Sequence, residues 1–456
     1  MKRYLNSQFR DMIVGVNTKV PLESGEYVTA INFDNAATTP PFCSVMKAIM
    51  EYAPWYASVH RGKGHKSVFS SELYEESRIT IKKFVGADHT KEVVFTKNTT
   101  ESINILAYLL QADSKEQVIL STDMEHLAND LPWRDNFTLD YVKIKEDGQL
   151  SLADLKEKLV KYQGRVKLVA VTGASNVTGY INPVYRIAEL AHKYGAKILV
   201  DGAQLVPHAP FDMKSSKLPD HIDYLAFSGH KLYAPFGAGV LIGPQEDFAK
   251  GSPVYKGGGA VGLVSHDFVE WDNPPNRYEA GTPNMMGVVA MTAAIQTMNT
   301  INCSAIHDYE KKLIDYAIKG LRHIPDINLY CCSDGSEERV SLISFTVNGL
   351  YHSIVAAILA QEAGIAARSG LFCAHPYVEK LLKMTDKELA YYHQNVDVLV
   401  PGLVRISFGL YNTYDEINVL LELLTRVVKN KNYYNNKYKN EARNVGEEKT
   451  HFLWYC

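Results

Sequence analysis

Short apolar runs bounded by turn residues recur through the middle of the chain. They fall at residues 92–95 (EVVF), 117–120 (QVIL), 167–172 (KLVAVT), 197–200 (KILV), 224–227 (YLAF) and 239–242 (GVLI). Their length and β-rich content predict strands. Amphipathic segments lie between them, as in residues 183–194, where Ile187, Leu190 and Ala191 share one helical face. This alternation predicts an α/β fold with a mainly parallel sheet covered on both faces. Such sheets hold ligands just beyond the carboxyl ends of their strands. The pattern changes after about residue 300, where helices at 306–321 and 353–363, strands at 340–347 and 404–408, and a helix from 414 to about 428 predict a smaller α+β unit. The expected organisation is an arm (1–27) packed on that unit, a large domain (28–300), a small C-terminal domain (301–430) and a tail (431–456). The Asn/Lys/Tyr bias of the tail cannot bury a core alone and predicts little order.

Composition narrows the class without naming a function. The 456 residues are 46% hydrophobic and 22% charged, ordinary for a soluble globular protein. Lys and Arg number 48 and Asp and Glu 51, a net charge of −3, which makes no case for nucleic-acid binding. No apolar stretch is long enough to span a membrane. The start, MKRYLNSQFRDM, is basic but has no apolar run behind it, so no signal peptide is read and a cytoplasmic setting is expected. The six cysteines (Cys43, Cys303, Cys331, Cys332, Cys373 and Cys456) are scattered and form no disulfide framework.

The candidate chemistry concentrates in two strand ends. One strand runs into Asp201-Gly202-Ala203-Gln204, and the next into Ser228-Gly229-His230-Lys231. Both clusters project at the same edge of a parallel sheet. A lysine beside an acid suits pyridoxal 5'-phosphate: Lys231 forms a Schiff base with the aldehyde, and Asp201 keeps the pyridine nitrogen protonated. The plainer alternative, a turn cap and a solvated lysine, is disfavoured by the Ser-Gly-His before the lysine and by the upstream DGAQ turn. Residues 96–101 (TKNTTE) join a strand to a helix, and Asn98 with Glu101 fits a capping box. Free amides there bind phosphate, with hydroxyls from Thr99 or Thr100, and Ser228 and His230 complete the cradle. Alone, such a sequence more commonly just starts a helix. The glycine-rich residues 257–262 lack the strand–turn–helix frame of a dinucleotide site and read as a loop near a dimer interface and site mouth.

Nine segments occur in a telling order: FDNAATT (33–39), VHRGKGHKS (59–67), TKNTTESIN (96–104), MEHLANDLPW (124–133), SNVTG (175–179), DGAQ, SGHK, RYEAGTPN (277–284) and RSGLFCA (368–374). Together they resemble the class V aminotransferase fold family, in its cysteine desulfurase and selenocysteine lyase branch. The resemblance implies the type I fold of pyridoxal-phosphate transferases, with a seven-stranded large domain and a small α+β domain. It implies that His126 stacks on the pyridine ring and shuttles protons. Gln204 bonds the ring hydroxyl, and Asn176 lies near that oxygen and the substrate carboxylate. Thr282 reaches the phosphate of the other subunit, which implies a homodimer with shared sites, and Arg61 points across the same interface.

Cys373 decides the subtype. It lies in RSGLFCAHP (368–376). A free cysteine is most often a buried structural residue. Here a glycine, a nearby arginine and a loop setting point to a reactive thiol. Arg368 suits bidentate binding of a carboxylate, and Arg405, in VRISFG, resembles the family's second carboxylate-binding arginine. The resulting expectation is a cysteine desulfurase. It takes sulfur from L-cysteine as a Cys373 persulfide, releases L-alanine and passes the sulfur to an acceptor protein or thiol, in an iron–sulfur or thio-cofactor pathway by resemblance. The alternatives are a selenocysteine lyase, another C–S lyase or aminotransferase of the same fold, and, remotely, a non-catalytic protein of that fold. Three features depart from the family pattern. Leu371-Phe372 stand where a type II loop carries His-His, the interval from Cys373 to Arg405 is long, and extra residues separate Arg61-Gly62 from His65.

Overall fold

The apolar runs become strands because alternate residues bury on opposite faces of one sheet. The structure, a computed structural model, describes residues 7–111, 116–330, 338–395 and 398–440. Seven strands form the main sheet: β1 Lys91–Thr96, β2 Val118–Thr122, β3 Thr138–Val142, β4 Val166–Thr172, β5 Lys197–Asp201, β6 Tyr224–Ser228 and β7 Gly239–Pro244. Their order is β1-β7-β6-β5-β4-β2-β3. Only β7 is antiparallel to its neighbours. Val94, Ile119, Leu168, Leu199 and Ala226 pack on one face with Ile103, Leu106 and Leu110 of helix α1 (Thr99–Leu110). Val93, Val169, Val200 and Phe227 face the other side, with Ile187 and Ala191 of α2 (Val184–Lys193) and Val288 and Ile295 of α3 (Met285–Ile301).

Six of these strands lie where the apolar runs predict them. The seventh, β3, has no apolar run, because it is an edge strand of sequence TLDYV and only half-buried. Asp140 in it holds Lys158 at 2.6 Å and accepts from the Tyr162 hydroxyl at 2.9 Å, which keeps a charge on the edge.

A second, antiparallel sheet is built from β8 Ile327–Leu329, β9 Leu342–Val347, β10 Arg368–Gly370 and β11 Leu403–Ser407, in the order β8-β9-β11-β10. It packs with α4 (Cys303–Arg322), α5 (His352–Ala363) and α6 (Tyr414–Lys429). Ile31 and Phe33, expected in the large domain, pack into this core instead, because Ile31–Asn32 pairs in parallel with Ile365–Ala366. The N-terminal segment docks on the same unit through Arg10 and Glu416 (2.8 Å) and through the Glu23 amide on the Gln361 carbonyl (3.0 Å).

The expected lack of order from residue 431 is corrected in part. Lys431–Tyr438 is a helix, α7, because tyrosines four residues apart share one face. Tyr434 and Tyr438 are buried, and the Tyr438 hydroxyl donates to Glu23 (2.8 Å) and Glu362 (2.7 Å). The rest of the expected tail, 441–456, lies outside the described residues, as do Cys331, Cys332 and Cys456. Cys43, Cys303 and Cys373 are free thiols. Among the described residues, no helix is long and apolar enough to cross a membrane.

Candidate active site

Five strands deliver chemistry to one edge of the main sheet. Beyond β1, Asn98 opens α1; beyond β2 comes His126; beyond β4, Asn176; β5 ends in Asp201; and β6 ends in Ser228, followed by His230 and Lys231. They line a cavity of about 500 Å³ together with Thr99, Thr100, Gln204, Arg368, Cys373 and Arg405. Twelve of the fourteen residues expected at the site therefore meet here. Lys231, Arg368 and Arg405 face a single lining carboxylate, Asp201, so the cavity favours anions.

The turn at Asn98 is set by its neighbours. Asn98 Oδ1 accepts from the Glu101 amide at 3.0 Å, but the Glu101 carboxylate takes the Lys97 amide rather than that of Asn98, so only half of the expected capping box forms. The Ser228 hydroxyl accepts from the Thr99 amide at 2.8 Å and shares a hydrogen bond with the Thr99 hydroxyl at 2.7 Å, joining the ends of β1 and β6. The His230 carbonyl accepts from the Thr39 amide (3.0 Å) and from the hydroxyls of Thr38 and Thr39 (both 3.1 Å). That is how residues 33–39 hold the SGHK turn.

Burial of the Lys231 amine pulls its pKa down to about 8, against the opposing pull of Asp201. Burial likewise raises the carboxyl of Asp201, which accepts from the Ala203 amide at 2.9 Å. Burial, with the charge of Lys231 behind it, lowers His126 and His230 to about 4, so both are neutral at neutral pH. His126 Nδ1 accepts from the Ala128 amide at 3.0 Å, which leaves the ring proton on Nε2. Two buried groups lining the cavity have atoms with no hydrogen-bond partner in the structure: Gln204 Oε1 and Arg405 Nε.

The cysteine loop is tied down from both sides. The Phe372 and Cys373 backbones take positive φ angles of 51° and 52°, a costly conformation for residues other than glycine. Asn176 Nδ2 donates to the Phe372 carbonyl (2.8 Å), the Leu127 amide donates to the Cys373 carbonyl (2.7 Å), and the Ala374 amide donates to the Leu371 carbonyl (2.9 Å). These bonds hold an exposed thiol at the cavity mouth. The Phe372 ring covers the Arg405 guanidinium at 5.0 Å. Arg368 and Arg405 are direct partners across β10 and β11, and Asp34 bridges them at 3.3 Å to each. Arg405 Nη1 also donates to the Asn176 carbonyl at 2.9 Å.

Two expected residues lie elsewhere. Arg61 and Thr282 line a separate cavity of about 440 Å³ with Gly258, Gly259 and Glu279. Two further residues were not singled out from sequence. Asp34 sat inside the FDNAATT motif, but nothing there marks a carboxylate that bridges two arginines. Glu125 precedes His126 and is fully buried. It accepts from the Thr122 hydroxyl (2.6 Å), the Asn129 amide group (2.7 Å) and the Thr172 amide (2.9 Å), and burial raises it to about 8.

Comparison with known proteins gives the same picture. Residues 31–420 match the family described as Aminotransferase class-V. A probable cysteine desulfurase of Synechocystis sp. is 35% identical over 88% of this chain and 91% of its own. A cysteine desulfurase of Cronobacter sakazakii is 36% identical over 86% and 92%. The solved cysteine desulfurase of Thermococcus onnurineus NA1 superposes with a TM-score of 0.78 at 34% identity, covering 88% of this chain and 95% of that one.

Proposed function

The chain belongs to the aminotransferase class-V family, and from that premise we propose that it is a pyridoxal-phosphate-dependent cysteine desulfurase. It takes sulfur from L-cysteine onto Cys373 and releases L-alanine. The observation that carries this reading is the convergence in one cavity of Lys231, Asp201, two arginines and an anchored, exposed cysteine.

The residues present fit the cofactor. Gln204 Oε1 is a buried, unpartnered polar atom in the cavity wall, the opening of α1 offers amides and hydroxyls for a phosphate, and Asp201 lies buried beside Lys231. When bound, pyridoxal phosphate supplies an aldehyde for amines and a protonated ring that accepts the electrons released at the substrate Cα. Lys231 Nζ would hold that aldehyde at rest and then carry the Cα proton, a role its lowered pKa suits. Asp201 would hold the proton on the ring nitrogen. Because the Nδ1 of His126 is already accepting a hydrogen bond, its ring offers an Nε2 proton as donor and a flat face for stacking. The unpartnered Nε of Arg405 would receive the substrate carboxylate, steadied by Arg368. That fixes which Cα bond is aligned for cleavage. Cys373 thiolate then attacks the substrate sulfur. The Cβ–S bond breaks, a sulfur–sulfur bond forms on Cys373, and the electron pair left on the three-carbon fragment is protonated as alanine forms. The persulfide stands at the cavity mouth, where an acceptor protein or thiol reaches it. Arg61 and Thr282 act on the site of a second subunit in a homodimer.

Cys373→Ser tests the assignment. The variant should keep the visible cofactor absorbance and lose alanine release from L-cysteine by about a hundredfold or more, as expected when a nucleophile is removed. Unchanged alanine release would exclude Cys373 as the sulfur acceptor.

A further inference from the structure

A second cluster of side chains sits at the opposite end of the main sheet, where β5 and β6 begin rather than end. His192, in the last turn of α2, and His221 and Asp223, just before β6, bring one ligand atom each to within 4.8 Å of one another. His192 Nε2 lies 2.8 Å from Asp223 Oδ2, and His221 Nε2 lies 3.3 Å from Asp223 Oδ1. The two imidazole rings stack, with centroids 4.2 Å apart. None of these residues has a part in the chemistry proposed above.

The far side of each ring decides its proton. His192 Nδ1 is 2.7 Å from the Pro219 carbonyl, and His221 Nδ1 is 2.6 Å from the Leu218 carbonyl. A carbonyl only accepts, so both Nδ1 atoms carry the hydrogen. Both Nε2 atoms are therefore turned toward the oxygens of one carboxylate. Three possible ligand atoms from separate residues thus gather at one point. One divalent cation satisfies all three atoms.

We propose that His192, His221 and Asp223 form a binding site for a divalent transition-metal ion of the zinc class. The donor set of two imidazoles and a carboxylate suits zinc, and three protein ligands leave a fourth position for water. Zinc bonds of about 2.0–2.1 Å put neighbouring tetrahedral ligands about 3.3 Å apart; the His221–Asp223 separation of 3.3 Å already has that value, and the His192–Asp223 separation of 2.8 Å opens by about half an ångström when the ion enters. The outer contacts are those of a built site: each Nδ1 is fixed by a carbonyl, and Asp223 Oδ2 also accepts from the Ile198 amide at 2.9 Å. The ion would pin α2 to the start of β6, about 17 Å along the sheet from the strand ends that carry Asp201 and Lys231.

The test uses the full-length, cofactor-loaded protein, stripped with chelator and titrated with Zn2+ alone, in a Cys43→Ser, Cys373→Ser background that removes the two exposed thiols among the described residues. One equivalent should bind and raise the melting temperature. His221→Gln, and separately His192→Gln, should weaken binding by about tenfold or more while the cofactor absorbance persists. Co2+ in place of Zn2+ should give weak visible bands without thiolate charge transfer. Failure to bind one equivalent, equal affinity in both histidine variants, or thiolate bands from Co2+ would each overturn the site.

Discussion

At the scale of single residues, the cavity works by holding groups in protonation states they would not keep in water. Lys231 has the clearest consequence. Its amine is neutral above about pH 8 because burial disfavours the ammonium, and only the neutral amine attacks an aldehyde. Reconstitution of the cofactor-free protein should therefore speed up as pH rises, by about tenfold per unit below 8, and level off above it. A rate that is flat from pH 6 to 9, followed by growth of the visible band, would refute this. The same shift has a stability sign. The folded value lies below the ordinary 10.5, so the cost is carried in full below about pH 8 and is lost as pH rises from 8 to 10.5. The cofactor-free protein should thus gain stability across that window from this group. His126 and His230, lowered to about 4, stay neutral throughout it and contribute nothing to the change. Lys231→Ala removes both effects and should leave no absorbance band from the lysine-linked cofactor.

At the scale of elements, the site depends on how closely β7 lies against the turn that opens α1. A Cβ on Gly239 would stand 2.7 Å from the Asn98 Cα and 2.9 Å from its backbone N and C. These are backbone atoms, so the turn itself must move. Gly239→Ala should cost about 1–3 kcal/mol, and since the displaced turn is the expected phosphate cradle, the loss should fall on cofactor affinity. Titration of the cofactor-free variant with pyridoxal phosphate measures it, and unchanged affinity would remove this turn from the cradle. The strands that carry this architecture were legible where apolar runs signal two-faced burial, as in residues 167–172 and 224–227. β3 was not, because an edge strand needs no continuous apolar run and Asp140 interrupts it. Helix α7 was hidden for a related reason: its Asn and Lys content outweighed the four-residue spacing of Tyr434 and Tyr438. Local motifs likewise marked Asp201 and Lys231, two strand ends in one layer. They did not mark Asp34, whose partners Arg368 and Arg405 come from strands more than 300 positions away.

At the scale of the whole molecule, the question is where Arg61 and Thr282 act. Thr282 is expected at the cofactor and Arg61 at the substrate, yet in one chain they share a cavity with each other and not with Lys231. The proposed homodimer with shared sites would resolve this, because each subunit would then supply Thr282 to the pocket of the other. The consequence is complementation. A Lys231→Ala subunit has a damaged pocket but an intact Thr282. A Thr282→Ala subunit has an intact pocket but supplies nothing to its partner. In a mixed dimer, the pocket with Lys231 belongs to the Thr282→Ala subunit and receives Thr282 from the Lys231→Ala subunit, so one pocket of the two is complete. Random re-association makes about half of the dimers mixed, so about a quarter of all pockets should recover. Denaturing and refolding the two variants together, then assaying alanine release from L-cysteine, should give about a quarter of wild-type activity, where each variant refolded alone gives little. If Thr282 acts within its own chain, the mixed dimer holds no pocket with both residues, and the refolded mixture stays at the average of the two parents.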